Sequence, residues 1–525
     1  MKSLSEAFVH LAARRARSAG LALAAAAASA AACQSSPSRD STPAPVADVA
    51  QIVVASPPGT PRPPFAFSPA DAAFIDSVQR GVFNYFQAHA NPHTGMIPDR
   101  TSGSHVSTAG VGFQLAALAV GAERGWVSRA DAHARTLLIL QSLDRGTANR
   151  KFGLFYHFID GDTAGQPKDA PEQVVSTIDS ALLFSGMMVA SSYFGGEVAA
   201  LADRLLDDAN WSAFVLRGSG EPHSDGCISL GWKPDSMHEP LGAGSFLRYA
   251  WIDCGDEHRL VNFLAVGAGD SAKAVEPASY YRLRRMMGTY GDLGPMVWFP
   301  WSGSLFVSFF AHCFIDYAAM GPDDPARFGV PRRSRVDWWE NARRHVLLHR
   351  LKAIENPKRL AGFGPDAWGL TAGDKANGYQ VPHLFPRPIP MPGAVPGDDF
   401  AVRDGKLVEG KDDWGDGTIA TYGAGSSIMF EPALAVAALR HYATWKDAKG
   451  HTWLWRGNPS SGGFGLVDSF NPTTGWVSPD DLAIDGGPML LAIENARTGF
   501  VWSQFSKHPI ARRAMERLGM AGPRR

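Results

Sequence analysis

Ser68-Pro69-Ala70-Asp71-Ala72-Ala73-Phe74-Ile75-Asp76-Ser77-Val78-Gln79-Arg80-Gly81-Val82-Phe83-Asn84-Tyr85-Phe86 carries the pattern that decides the fold class. Phe74, Val78, Val82 and Phe86 recur at steps of four, which stacks them on one face of a helix with 3.6 residues per turn. Ser68 stands where an N-cap hydroxyl accepts a first-turn N–H. Pro69 takes the first helical position, where a missing N–H does no harm. The stretch reads as a capped amphipathic helix.

The same signals recur along the chain. Phe113, Leu115, Leu118 and Ala119 suggest a second helix, and Ser128 opens a third with Leu137, Leu138 and Leu140 on its apolar side. Asp179 to Val189 makes a fourth, and Leu201, Leu205 and Leu206 a fifth. Strand-like alternation is scarce, and no rhythm of apolar run, glycine turn and helix marks a parallel sheet. The expected class is all-α. The proline-rich segment from Pro382 to Asp413 breaks the pattern and reads as a long loop, either over a pocket or a solvated insertion.

Among 525 residues, 50 basic side chains face 51 acidic ones, which leaves no electrostatic case for nucleic acid or an anionic membrane face. Fifteen tryptophans and 29 phenylalanines can fill one large core. At the N-terminus Arg14, Arg15 and Arg17 precede an apolar run from Ala19 to Ala32 that is short for a membrane span. Residues 1–33 read as an export signal. Ala30-Ala31-Ala32-Cys33 resembles a lipoprotein box without its usual leucine, so a lipid on Cys33 is the one membrane link expected. The expected address is periplasmic, anchored to the outer membrane if Cys33 is lipidated. Residues 34–66, rich in Ser, Pro and Ala, read as a tether, and 67–525 as a single domain. Cys227, Cys254 and Cys313 have no CxxC spacing and read as buried thiols, with a Cys227–Cys254 bridge the alternative.

The chemistry-bearing residues crowd toward the C-terminus. Asp468, Asp485 and Glu494 lie in Gly-, Asn- and aromatic-rich segments, where an unpaired carboxylate is costly. Sugar cleavage uses one carboxylic acid to protonate a leaving oxygen and one carboxylate for water or the anomeric carbon, with flat rings covering the sugar faces. Trp301, Trp368, Tyr379, Trp414, Tyr422 and Trp476 are the candidate platforms, each weighed against a core role. Asp179 opens an apolar helix and could be a first-turn acid on the helix dipole instead. Glu257 follows Asp253, Gly255 and Asp256 and could be part of a solvated turn. Asp416 in Asp-Gly-Thr reads first as a turn residue, and Glu494 and Arg497, three apart, could pair with each other. His157, His312 and His383 lack metal-ligand spacing, so no metal and no cofactor are expected.

Several segments together resemble the bacterial glucoamylase-like domain family, whose characterised members include endo-β-1,2-glucanases. They are Gly110-Val111-Gly112-Phe113 with Gly125-Trp126-Val127-Ser128-Arg129, and Ser176-Thr177-Ile178-Asp179-Ser180-Ala181-Leu182-Leu183 with Gly186. Trp368-Gly369-Leu370-Thr371-Ala372 with Gly378-Tyr379 follows, then Asp416-Gly417-Thr418, then Phe464 to Asn471, Ile484 to Pro488 and Ile493 to Gly499. The resemblance implies an (α/α)6 toroid and a monomeric glycoside hydrolase acting within β-1,2-glucan. It implies inversion, with Glu257 as general acid, directly or through a sugar hydroxyl, and Asp468 or Asp485 activating water. Trp301, Trp368, Tyr379, Asp416, Tyr422, Trp476, Glu494 and Arg497 would then bind the glucan. Kinship with the transglycosylating part of cyclic β-1,2-glucan synthases implies a retaining alternative using Asp179 and Glu257; exo action or another glucan is a further one. The sequence departs from the family where Ser176 and Asp179 replace an Asp and a Glu. That change favours a third reading, a glycan-binding lipoprotein without catalysis.

Overall fold

The computed structural model describes residues 52–167, 173–218, 224–236, 238–299, 303–389, 402–403, 406–407, 410–446 and 450–520. The export signal expected over 1–33, Cys33, Trp301 and much of the Pro382–Asp413 loop lie outside them.

Six buried elements form an inner ring. They are α2 (Thr108–Glu123), α4 (Thr177–Phe194), α6 (Asp256–Gly267), the 3-10 turns Leu305–Ser308 and Ala311–Cys313, α9 (Thr421–Ser426) with the turn Ser427–Met429, and α11 (Ala483–Thr498). α2 packs on α4, α4 on α6, and α6 on the 3-10 turns; α9 packs on α11, and α11 closes back onto α2. Phe309 meets Tyr422 edge to face where the turns approach α9. α2 and α4 are apolar nearly all round and rich in small residues, as helices buried on every side tend to be.

Six outer helices each cover one inner element. α1 (Pro69–Ala88) lies on α11, α3 (Arg129–Arg145) on α2, and α5 (Gly196–Asp207) on α4. α8 (Trp338–Glu355) lies on the 3-10 turns, α10 (Pro432–Thr444) on α9, and α13 (Pro509–Arg517) on α6. A short helix, α7 (Ala278–Arg282), follows α6, and α12 (Phe500–Lys507) leads into α13. The architecture is an (α/α)6 toroid in which the C-terminal helix supplies the outer partner of the third inner one. Caps read from sequence are in place: Ser68 Oγ accepts from the Asp71 N–H, Ser128 Oγ from Asp131, and Ser176 Oγ from Asp179.

Contact between α2 and α4 is close enough to require glycine. A Cβ on Gly186 would lie 1.9 Å from the Gly112 carbonyl oxygen, and one on Gly112 would lie 2.3 Å from the Leu182 oxygen.

Two expectations need correction here. The tether expected over 34–66 ends sooner, because Val53–Val54 pairs in parallel with Arg335–Val336 and Arg62 binds Asp337 and the carbonyls of Ala318 and Met320. Those bonds dock residues 52–66 onto the body. The alternative Cys227–Cys254 bridge does not form; Cys254 and Cys313 are buried thiols, whereas Cys227 is only partly buried.

Candidate active site

The N-termini of the inner helices share one end of the ring, and most have a short strand or bridge leading into them: His105–Ser107 before α2, Val175–Ser176 before α4, Ile419–Ala420 before α9, and the Arg100–Leu482 bridge before α11. Four acids sit in first turns: Asp179 on α4, Asp256 and Glu257 on α6, and Asp485 on α11. Residues from neighbouring loops are fixed to the same helix starts through their backbones. The Thr108 N–H donates to the His157 carbonyl, the Ala483 N–H to Asp99 and the Thr421 N–H to Asp468, at 2.8–3.0 Å. Orphan N–H groups of the helix starts therefore hold the loops that carry the chemistry.

Glu257 is 8% exposed, and burial followed by the charges of Asp179 and then Asp256 pushes its carboxyl up to about 8. No hydrogen bond to it occurs among the described residues. At neutral pH it is a neutral acid at a helix start, where the helix dipole alone would favour the anion. Asp179 lies 3.6 Å from His157 Nε2, and the His157 ring stacks on Phe158 at 4.0 Å. Beneath Glu257, Asp256 accepts from the N–H groups of Ala311 and His312, from His312 Nδ1 at 2.8 Å and from Arg259. Burial opposes its charge, but His312 and Arg259 win and hold Asp256 below the usual range.

On the other side of the ring, Asp468 and Asp485 form a carboxyl pair. Tyr379 donates to Asp485 Oδ1 at 2.8 Å, and Ser469 Oγ donates to Asp468 Oδ2 at 2.5 Å. Burial, then the proximity of Asp468, raises Asp485 well above the normal range; burial also raises Asp468. Asp99 joins the two groups, since its charge is felt by Asp485 and it feels Asp179 in turn. Arg100 spans Asp99 at 3.5 Å and Asp374 at 3.4 Å, and Arg456 holds Asp481 at 3.1 Å.

The structure thus brings Asp179, Glu257, Asp468, Asp485 and Tyr379 to one end of the ring. Asp416 is a turn residue near that end, accepting from the Thr418 N–H and hydroxyl, with Lys375 Nζ 3.4 Å away. Trp476 is partly buried on a strand paired with Asn471. Four expected glucan-binding residues are corrected. Trp368 and Tyr422 are buried in the core, Trp368 fully and Tyr422 with its hydroxyl bonded to the Ala372 carbonyl, so neither offers a face to a sugar. Trp414, also considered, packs in a small apolar cluster beside Phe363. Glu494 sits nine residues, about 14 Å, along α11 from Asp485. There it accepts from Gln79 and Thr498. Arg497 pairs with Asp76 on α1 instead of with Glu494.

Asp99, Arg100, Asp374 and Asp481 escaped the sequence reading, and His157 was weighed only as a metal ligand. Asp99, Arg100, His157 and Asp481 lie within a few residues of a helix start or its supporting strand, visible only once the helices are known, and Asp374 lies in a loop with no such mark.

Residues 249–509 match the family model described as "Putative glucoamylase", a span that includes Glu257, Asp468 and Asp485. An exo β-1,2-glucooligosaccharide sophorohydrolase (non-reducing end) of Parabacteroides distasonis is 27% identical over 477 residues, which is 85% of this chain and 58% of the relative's own length. The chain therefore spans less than two thirds of that relative. A crystal structure of a putative glucoamylase from Bacteroides uniformis superposes with TM-score 0.67 at 24% identity, covering 87% of this chain and 99% of that one. An endo-β-1,2-glucanase from Chitinophaga pinensis, solved with sophorotriose and glucose, gives 0.64 at 23% identity, covering 86% and 98%. The helical ring is accordingly similar in fold to these proteins, and residues 249–509 of the chain match the model of that family.

Proposed function

We propose that the protein is a glycoside hydrolase that cleaves β-1,2-glucan by inversion and releases short β-1,2-gluco-oligosaccharides. The observation that carries this reading is Glu257: a carboxyl group held neutral at neutral pH, beside an ionisable acid, at the end of the ring where the loops converge. That is the state a general acid must have to protonate a glycosidic oxygen. An acid pair, Asp468 and Asp485, supplies the base for water, and inversion is the course taken from the resemblance. The β-1,2 linkage is supported by the activities named for the Parabacteroides and Chitinophaga relatives.

Attack inside the chain is the reading taken from the resemblance. Exo action, releasing disaccharide from a chain end, is the second reading, favoured by the name of the Parabacteroides relative. A time course on linear β-1,2-glucan separates them. Endo action gives a broad early ladder and a rapid fall in mean chain length; exo action gives one short product from the first minutes while long chains persist. No product from β-1,2-glucan would overturn both.

Export and lipidation of Cys33 belong to the same proposal. Metabolic labelling with a fatty acid tests them, and label retained by Cys33→Ala would sink the lipid anchor.

A further inference from the structure

Two carboxylates packed side by side away from water cannot both be ionised, so the Asp468–Asp485 pair retains a proton. Asp485 is fully buried. Its Oδ1 takes the Tyr379 hydroxyl proton at 2.8 Å, while its Oδ2 is buried with no hydrogen-bond partner. A charged oxygen in that position would be uncompensated. A protonated Asp485 instead has an acceptor at hand, because its carboxyl lies within hydrogen-bonding reach of the Asp468 carboxyl.

The surroundings add no competing donor. Gly373 covers the spot closely enough that a Cβ there would meet the Ala420 methyl at 2.9 Å and Asp485 Oδ2 at 3.8 Å, and its N–H is committed to the Gln380 carbonyl. Asp99, Asp374 and Asp481 face the pair, each disfavouring a second negative charge, and Tyr85, Tyr379 and Tyr422 are further titratable groups near it. Arg100 and Arg456 are the nearby cations, engaged by Asp99 and Asp374 and by Asp481. Asp468 differs from its partner: it is 8% exposed, and its backbone is tied to the start of α9.

We propose that Asp485 is a protonated positioning residue that donates Oδ2–H to Asp468, and that Asp468 alone is the carboxylate that activates water. The proposal rests on the hydrolase reading above. In the step, the water O–H bond breaks and its proton passes to Asp468 while its oxygen bonds to the anomeric carbon. The glycosidic C–O bond breaks, and the leaving oxygen takes the proton of Glu257. Asp485 keeps its proton throughout and orients the Asp468 lone pair.

Asp485→Asn keeps a neutral donor in place, and Asp468→Asn removes the base. On linear β-1,2-glucan, Asp485→Asn is expected to lose no more than about tenfold in kcat, against roughly 10²–10⁴-fold for Asp468→Asn. A second measurement does not depend on turnover or substrate. Infrared spectra of the full chain in the Glu257→Gln background should contain a protonated-carboxyl stretch at neutral pH that Asp485→Asn removes and Asp468→Asn leaves. Equal losses of activity in the two variants, or a band removed by Asp468→Asn and untouched by Asp485→Asn, would overturn the proposal. Wild type inert toward β-1,2-glucan would instead sink the hydrolase reading, with the infrared result still locating the proton.

Discussion

Asp179 and Glu257 stand in the first turns of two inner helices packed on each other, and after burial the charge of Asp179 is the largest influence keeping the proton on Glu257. Burial is the larger cause, and the helix dipole pulls the other way. The toroid makes the arrangement possible, since its inner helices start at one end and aim successive first-turn acids at a common space. His157, 3.6 Å from Asp179, is held there by the N–H of Thr108 at the start of a third inner helix.

A pH dependence follows for the activity. A general acid must be protonated, so kcat/KM on β-1,2-glucan should fall as pH rises through about 8. Asp179→Asn removes a like charge, which lowers the Glu257 pKa and moves the alkaline limb to lower pH. A limb that stays in place in Asp179→Asn would show that the two acids do not communicate.

The raised carboxyl also has a sign in stability. Between about 4.5, the ordinary glutamate value, and about 8, Glu257 is neutral when folded and ionised when unfolded, so unfolding releases a proton and stability falls as pH rises. Glu257→Gln has no such loss. Its Tm should exceed that of wild type by a few degrees at pH 7, and the gap should close below pH 4.5; thermal scans across that range check it.

Asp256 is the opposite case, an anion fixed by Arg259, His312 and two backbone N–H groups. Asp256→Asn leaves the Arg259 guanidinium buried without its counter-charge, a change that costs about 3–5 kcal/mol. Chemical denaturation should record that loss with an unaltered m value. A change under about 1 kcal/mol would mean that Arg259 finds another partner.

Gly186→Ala tests the packing of the ring itself. The added methyl would run into the Gly112 carbonyl, forcing α2 and α4 apart. The expected loss is about 2 kcal/mol or more, beyond any gain in helix propensity, with a broadened or lowered melting transition as the readout.

Much of this was legible in the chain itself. Step-of-four apolar positions with a Ser cap gave α1 its start and Ser128 gave α3 its own, because capping and periodicity are local properties. Inner helices such as α2 were harder to orient, since a helix apolar on every face carries no direction. The fourth inner element was unreadable as a helix because it is built of 3-10 turns around Phe306, Phe309 and His312. At the site, Glu257 was reached through the family resemblance and Asp485 as an acid in a glycine-rich segment. Asp99, Arg100 and Asp374 join them only through backbone bonds and ion pairs that span hundreds of residues. Trp368 and Tyr422 misled for the same reason, since composition cannot tell a ring in the core from a ring on the rim.

The measurement that bears most directly on the central claim is hydrolysis of linear β-1,2-glucan by wild type and Glu257→Gln, with β-1,3-glucan and starch alongside. The account predicts short β-1,2-gluco-oligosaccharides from wild type alone and a loss of roughly 10²–10⁴-fold in the variant. A folded Glu257→Gln that releases the same products at the wild-type rate would contradict it.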